Sequence, residues 1–140
     1  MVHALEEIRR VLVQGGTLID LRPLAEGWPV EVCTGGGREA VGRVTDLPQG
    51  LADDEAANTA MRQGEGGRLF TRDQELMFPF YYTWDSPAEM QEFIEQEWSD
   101  FAEIRDDVWK NARSAWTIAE AGARVGIRVN MLITRWTKRP

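Results

Sequence analysis

Residues 3–22 read HALEEIRRVLVQGGTLIDLR, a run that changes from helical to strand periodicity at its glycine pair. Before that pair, five apolar side chains recur at helical spacing and predict an amphipathic helix over residues 2–13. The members of this stripe are Ala4, Leu5, Ile8, Val11 and Leu12. After the pair, residues 17–21 are β-branched or aliphatic and are closed by Pro23. They predict a strand with both faces covered.

Glycines and capping residues place the next elements. Residues 30–34 and 39–44 predict the two strands of a hairpin, because the glycines at 35–37 supply the positive φ angles of a tight turn. A phosphate-binding loop is the weaker interpretation, since neither a lysine nor a helix N-terminus follows. Asp53 predicts the cap of a short helix that ends near Arg62.

The second half of the chain predicts an aromatic strand, two helices and a last strand. Residues 76–84 alternate large aromatic side chains with other residues, and Pro79 within them favours an edge or bulged strand. Residues 86–89, SPAE, combine a capping serine, a proline and a glutamate as helix starts do. A further helix begins at Asp106 or Asp107. Alternation returns in a last strand over residues 125–133.

Taken together, these elements predict a single α+β domain over residues 1–140. Its sheet is mixed but mostly antiparallel, with about five strands packed with about four helices. A chain of 140 residues with 43% hydrophobic side chains is long enough for one real core.

Charge and composition exclude several function classes. The chain carries 16 basic and 23 acidic side chains, a net charge of -7, which argues against a dedicated nucleic-acid binder or an adaptor for anionic membranes. Residues 1–7 enter the first helix without the apolar region of a signal peptide, so we expect a cytoplasmic protein. Cys33 is the single cysteine and His3 the single histidine, which excludes an intrachain disulfide and leaves no basis for a metal cluster.

The charges are unevenly distributed along the chain. Residues 49–107 carry 15 acidic and 4 basic side chains, whereas residues 108–140 carry 1 and 7. These segments could complement each other within one chain, or across an interface in which the basic strand of one copy meets the acidic helix of another. Solvated faces are the simpler interpretation.

The stretch over residues 3–22 resembles the part of class I S-adenosylmethionine-dependent methyltransferases in which a helix ends in a Leu-x-x-Gly-Gly turn and enters the fifth sheet strand. Gln14 stands where that family usually has a proline. The strand over residues 78–84, the helix after Ser86 and the last strand are also similar to the C-terminal part of such enzymes. The chain therefore resembles the back half of a methyltransferase, and the resemblance implies a truncated methyltransferase fold.

The resemblance carries no cofactor ligand to this chain. In the family, the cofactor is held mainly by a glycine-rich loop and an acidic residue of the first half, and the likeness here begins at the third residue. We therefore expect no bound cofactor and no activity of the chain alone. The strand over residues 17–21 would lack its neighbour of the parent sheet, which leaves an open edge. We expect a two-fold homodimer, formed across that edge or between helices carrying Trp98, Trp109 and Trp116.

Five residues are candidates for ligand binding. Asp20 lies in an apolar strand just after the glycine pair, where strand ends line clefts, although a salt bridge with Arg22 is the simpler role. The others are aromatic side chains that form a loop lid or a pocket wall; they are Trp28, Tyr81, Tyr82 and Trp84.

The remaining candidates favour structural roles. Cys33 lacks a partner histidine and reads as a small buried hydrophobe. The acidic run at residues 53–55 reads as a helix start, not as a cation site. We find no catalytic residue and no metal ligand to assign.

Three functions stay open from the sequence. The first is a non-catalytic methyltransferase-like domain that dimerises and binds a small apolar ligand or a protein partner through its aromatic strand. The second is one subunit of a split methyltransferase, completed by another chain that carries the cofactor-binding half. The third is an unrelated ligand-binding α+β module.

Overall fold

The computed structural model describes residues 2–140, with side chains from His3 onward. Met1, the first residue of the N-terminal segment for which no signal peptide is expected, lies outside the described residues. Its α-helices are α1 (Val2–Val11), α2 (Pro48–Gly66), α3 (Pro87–Phe93) and α4 (Asp106–Ile118), and a π-helical turn (Ile94–Trp98) continues α3. Its strands are β1 (Thr17–Pro23), β2 (Pro29–Thr34), β3 (Gly37–Arg43), β4 (Thr45–Asp46), β5 (Phe70–Trp84), β6 (Ala102–Glu103) and β7 (Arg124–Lys138).

Five strands form one sheet in which β7 is the central element. The order is β1-β7-β2-β3, and β5 also pairs with β7, while β4 and β6 form a separate two-stranded sheet. The registers of β1 with β7, β2 with β7 and β2 with β3 are all antiparallel. The predicted α+β class, with about five strands and four helices, is confirmed.

The chain folds into two compact units. Unit 1 comprises residues 1–24, 52–78 and 131–140, and unit 2 comprises residues 25–51 and 79–130. The long strands β5 and β7 contribute their two halves to different units.

In unit 1, two helices cover one side of the strands. Leu5 of α1, Ala60 of α2, Phe70 and Trp136 form the buried cluster, and Leu18 of β1 packs against it. Because side chains alternate along a strand, Ile19 and Leu21 lie on the other side, where they are 51% and 53% exposed. The prediction that β1 is covered on both faces is therefore wrong.

Unit 2 has the same plan with a larger core. The predicted hairpin is confirmed, since Thr34 pairs with Gly37 across the turn. Alternate residues of β2 and β7 point into the core and are almost completely buried; these are Val30, Val32, Val125, Ile127 and Val129. Helix α4 packs against this side through Val108, Trp109 and Ala112.

Helix α2 begins earlier and ends later than the sequence predicts. It starts at Pro48, not at Asp53. Gly50 lies in its first turn, where a Cβ would lie 2.8 Å from the backbone oxygen of Phe101, so the glycine permits a close approach.

The starts of α3 and α4 follow the sequence more closely than that of α2. Ser86 is the N-cap of α3 and its hydroxyl accepts the N–H of Glu89, as expected. The N-cap of α4 is Arg105, however, and the predicted caps Asp106 and Asp107 occupy its first turn. Arg105 donates to both carboxylate oxygens of Asp107 at 3.0 and 3.3 Å, which favours this start.

Candidate functional site

Unit 2 carries a charged surface on the side of its strands that faces away from the helices. Since Val30 and Val32 point into the core, Pro29, Glu31 and Cys33 point outward from β2. Cross-strand partners of these residues share that side. They are Arg43 opposite Pro29, Ala40 and Gly126 on either side of Glu31, and Arg38 and Arg124 on either side of Cys33.

One more step along the register places Arg128 beside Pro29, because its neighbour Ile127 pairs with Val30. Four arginines, two on β3 and two on β7, thus flank Glu31 on the strand between them, β2. We call this surface the arginine face; it consists of Arg38, Arg43, Arg124 and Arg128 together with Glu31. Rows of residues on one side of a strand repeat every ~7 Å and strands lie ~5 Å apart, so the arginines frame an area of nanometre size.

Glu31 is the buried charge of this surface. It is only 4% exposed, and its carboxylate lies 3.4 Å from Nη1 of Arg38 and 3.8 Å from Nε of Arg128. A carboxylate removed from water is costly unless it is paired, so these two guanidinium groups compensate its burial. Glu31 in turn anchors two of the four arginines.

Arg38 links Glu31 to two further side chains. Its Nη1 lies 3.3 Å from Sγ of Cys33, and its guanidinium carbon lies 4.1 Å from the centre of the Tyr81 ring. The second contact is a cation–π interaction. Tyr81, predicted to line a pocket, therefore lies next to the arginine face and contacts one of its members.

The surroundings of Cys33 act on the pKa of its thiol in opposite directions. Burial raises the pKa of the Cys33 thiol, Arg38 and Arg124 lower it, and Glu31 raises it, with burial the largest of these effects. The thiol is therefore protonated at neutral pH and is not an activated nucleophile.

The other aromatic candidates lie in the core of unit 2. Tyr82 stacks on Trp84 with ring centres 6.1 Å apart and meets Trp98 edge-on at 5.2 Å. Trp28 is 6% exposed and meets the same Trp98 at 5.5 Å, so it is packed onto the core and is not a mobile lid. Tyr82 and Trp84 share a side of β5, whereas Tyr81 points to the opposite side. The structure does not unite the three in one pocket wall.

Two of the three tryptophans on the helices, Trp98 and Trp109, are core residues. Trp98 and Trp109 are 8% and 5% exposed, and the indole N–H of Trp116 donates to the carbonyl of Ala123 at 3.0 Å. Trp98 and Trp109 therefore offer little indole surface to a dimer contact between helices, whereas Trp116 is half-buried.

Asp20 lies in unit 1, on the side of β1 that faces the helices. Its Oδ2 is 3.3 Å from Nε of Arg22, which matches the salt bridge expected as its simpler role. The two atoms attract without forming a hydrogen bond, because both remain without a hydrogen-bond partner. Asp20 therefore pairs with a residue of its own strand.

Unit 1 presents an apolar surface on the other side of the same strands. Leu21 of β1 pairs with Ile133 of β7, and Ile19, Leu76 and Ile133 together line a cleft of about 520 Å³. We call these four residues the apolar face. Its rim is polar and consists of Gln74, Glu75 and Arg135. Half-exposed aliphatic side chains beside a cleft are typical of an interaction surface.

The free edge of β1 adjoins the apolar face. The N–H of Lys138 donates to the carbonyl of Gly16 at 2.9 Å, so Gly16 directs its carbonyl towards β7. Backbone groups alternate along a strand, and the even-numbered residues of β1 therefore bond to β7 while Thr17, Ile19 and Leu21 direct theirs to the free edge. Pro23 is odd-numbered as well, so its missing N–H costs the sheet no hydrogen bond.

Sequence reasoning missed the arginine face. Its members alternate with buried residues in β2 and β7, and that alternation could have marked Glu31, Arg124 and Arg128 as outward-facing. Their assembly around Glu31 depends on the register between strands, which one sequence does not specify.

Metal binding and membrane insertion find no support in the described part of the chain. Within residues 2–140, no three His, Cys, Asp or Glu side chains are grouped so that they could hold a metal ion. None of the described helices combines the length and the apolar composition needed to cross a bilayer.

Comparison with protein-family models, curated proteins and solved structures yields no match to this chain.

Proposed function

We propose that this chain is a non-catalytic, methyltransferase-like domain that forms a two-fold homodimer through strand β1. The observation that carries the proposal is the free edge of β1, where Ile19 and Leu21 expose both their backbone groups and half of their side chains. The resemblance over residues 3–22 adds a reason, since the corresponding strand of a methyltransferase has neighbours on both sides.

A second copy of the same strand fits this edge. Two copies of β1 related by a two-fold axis pair antiparallel, and the axis can pass through Ile19. Ile19 then lies opposite its own counterpart and Thr17 opposite the partner's Leu21. These pairs form about six backbone hydrogen bonds, each with a net contribution of about 1 kcal/mol.

This register also gives the exposed side chains partners. The side chains of Thr17, Ile19 and Leu21 all project on the side of the apolar face, so cross-strand contacts form there between copies. Centring the pair on Asp20 would oppose two like charges, and centring it on Leu21 would use Pro23, which has no N–H to donate. The axis through Ile19 avoids both costs.

Light scattering with the variant Ile19→Pro tests the proposal. The Ile19 N–H points away from β7, so proline removes no hydrogen bond within the chain but blocks the central pair of the dimer. We expect the unaltered chain to have the mass of a dimer at micromolar concentration and Ile19→Pro that of a folded monomer, with a cooperative unfolding transition at a lower temperature because the stabilisation from pairing is lost. Leu21→Pro repeats the test at the next outward amide.

Ile118→Lys is the matched control, because Ile118 is 87% exposed at the end of α4 in unit 2 and should leave the dimer intact. A monomeric unaltered chain, or a dimer that survives both prolines, would contradict the proposal. A stoichiometric partner with a glycine-rich, cofactor-binding half would instead support the split enzyme. A monomer that is stabilised by a small apolar molecule would support the ligand-binding module.

A further inference from the structure

The arginine face contains a small polar cleft at its end near Pro29. The cleft has a volume of about 100 Å³ and is lined by Glu26, Trp28, Pro29, Arg43, Arg128 and Asn130. All of these residues belong to unit 2. The cleft includes Trp28, one of the ligand-binding candidates of the sequence, although its neighbours there are charged and not apolar.

Neighbouring side chains hold two of the charged groups of this cleft in place. Nδ2 of Asn130 donates to Oε2 of Glu26 at 2.6 Å, which fixes the one carboxylate of the lining. Nε of Arg128 lies 3.8 Å from Glu31, which holds the base of that guanidinium at the sheet surface. Arg43, which lies opposite Pro29 on β3, supplies a second guanidinium group. The cleft is therefore lined by two guanidinium groups, of which that of Arg128 is also paired with Glu31, and by one carboxylate that an amide already engages.

Size and charge together select the ligand chemistry. A cleft of about 100 Å³ suits a single carboxylate or phosphate group. Guanidinium groups present parallel N–H donors that match the paired oxygens of such anions. Arg38 and Arg124 extend the positive potential along the face and would attract anions towards the cleft.

We propose that this cleft binds one oxyanion group, a carboxylate or a phosphate, between Arg43 and Arg128. Every residue that forms the site lies in unit 2. It gives an acidic chain of net charge -7 a defined place for an anionic ligand.

Nuclear magnetic resonance titration of the full chain tests this site. The probes are inorganic phosphate and acetate at constant ionic strength, and the signals are the Asn130 side-chain amide and the Nε–H groups of Arg43 and Arg128. We expect saturable shifts at these signals with at least one anion. The stronger of the two anions identifies whether the natural group is a phosphate or a carboxylate.

Arg43→Gln removes one guanidinium without touching the Glu31 pair. We expect it to weaken binding at least tenfold, since one of the two guanidinium groups that would bond the anion is lost. Arg62→Gln is the control, because Arg62 lies on the exposed surface of α2. This variant should bind the anions as the unaltered chain does. Equal shifts with chloride, absence of saturation with both probes, or unchanged affinity in Arg43→Gln would overturn the proposal.

Discussion

At the scale of single residues, Arg38 makes contacts with three different side chains of unit 2. Its guanidinium meets the Glu31 carboxylate, the Cys33 sulfur and the Tyr81 ring. One arginine thus compensates a buried charge and also modifies the acidity of a thiol. Its removal should change the chemistry of Cys33 in a direction that the contacts determine.

We expect Arg38→Gln to raise the pKa of Cys33 further, because a positive charge that favours the thiolate is lost while burial and Glu31 still disfavour it. The rate of alkylation by iodoacetamide against pH measures this, and its midpoint should move to higher pH. Arg105→Gln, an exposed arginine paired with Asp107, should leave the midpoint in place. A midpoint that stays or falls in Arg38→Gln would contradict the contact.

The same raised pKa has a consequence for stability. The folded chain holds the Cys33 proton more tightly than the unfolded chain, so this contribution is fully present below the unfolded pKa of about 8.5. It is lost as the pH rises from there through the higher folded value. Urea unfolding should therefore show a decline in stability above that pH, and Cys33→Ser should lack this part of the decline.

At the scale of elements, the capped start of α3 shows how local signals act. The Ser86 hydroxyl accepts the Glu89 N–H at 3.3 Å, and the Glu89 carboxylate accepts the N–H of Asp85 at 3.1 Å. These reciprocal bonds satisfy backbone donors that the helix itself leaves open.

Ser86→Ala should lower the free energy of unfolding by about 1 kcal/mol, the usual loss when a capping hydroxyl is removed. Urea denaturation followed by circular dichroism measures it. The same change at Ser114, which is exposed within α4, serves as the comparison and should leave stability equal or slightly higher, since alanine favours helix interiors. Equal effects at both serines would show that the cap is not important.

The elements also show where sequence reasoning works and where it fails. The cap at Ser86, the glycine turn of the hairpin and the edge position of the proline-bearing β5 were predictable, because each follows from local backbone chemistry. The extent of α2 was not, since Gly50 and Gly64 are tolerated there through close contacts with Phe101 and Leu5 in their respective units. Such contacts depend on residues distant in sequence.

The same division applies to the candidate sites. Asp20 and Trp28 were found by residue type, yet one is paired with Arg22 and the other is buried against Trp98. The arginine face was missed, because its four arginines are brought together only by the registers of β2 with β3 and β7. Residue types identify candidates, whereas cross-strand pairing decides which of them meet.

At the scale of the whole molecule, each unit covers one side of its strands with helices and leaves the other side to solvent or to a partner. Unit 1 leaves an aliphatic surface and unit 2 a cationic one. An unpaired strand edge beside an aliphatic surface is a liability that natural proteins usually cover. Pairing of two β1 strands is the solution that we propose for unit 1.

Amide hydrogen exchange of β1 at several protein concentrations tests this pairing most directly. The amide of Asp20 points towards β7 and serves as an internal standard, because it should be protected at every concentration. We predict that the amides of Ile19 and Leu21 are as protected as that of Asp20 in concentrated samples and lose this protection on dilution. Rapid exchange of Ile19 and Leu21 at all concentrations, beside a protected Asp20, would contradict the account.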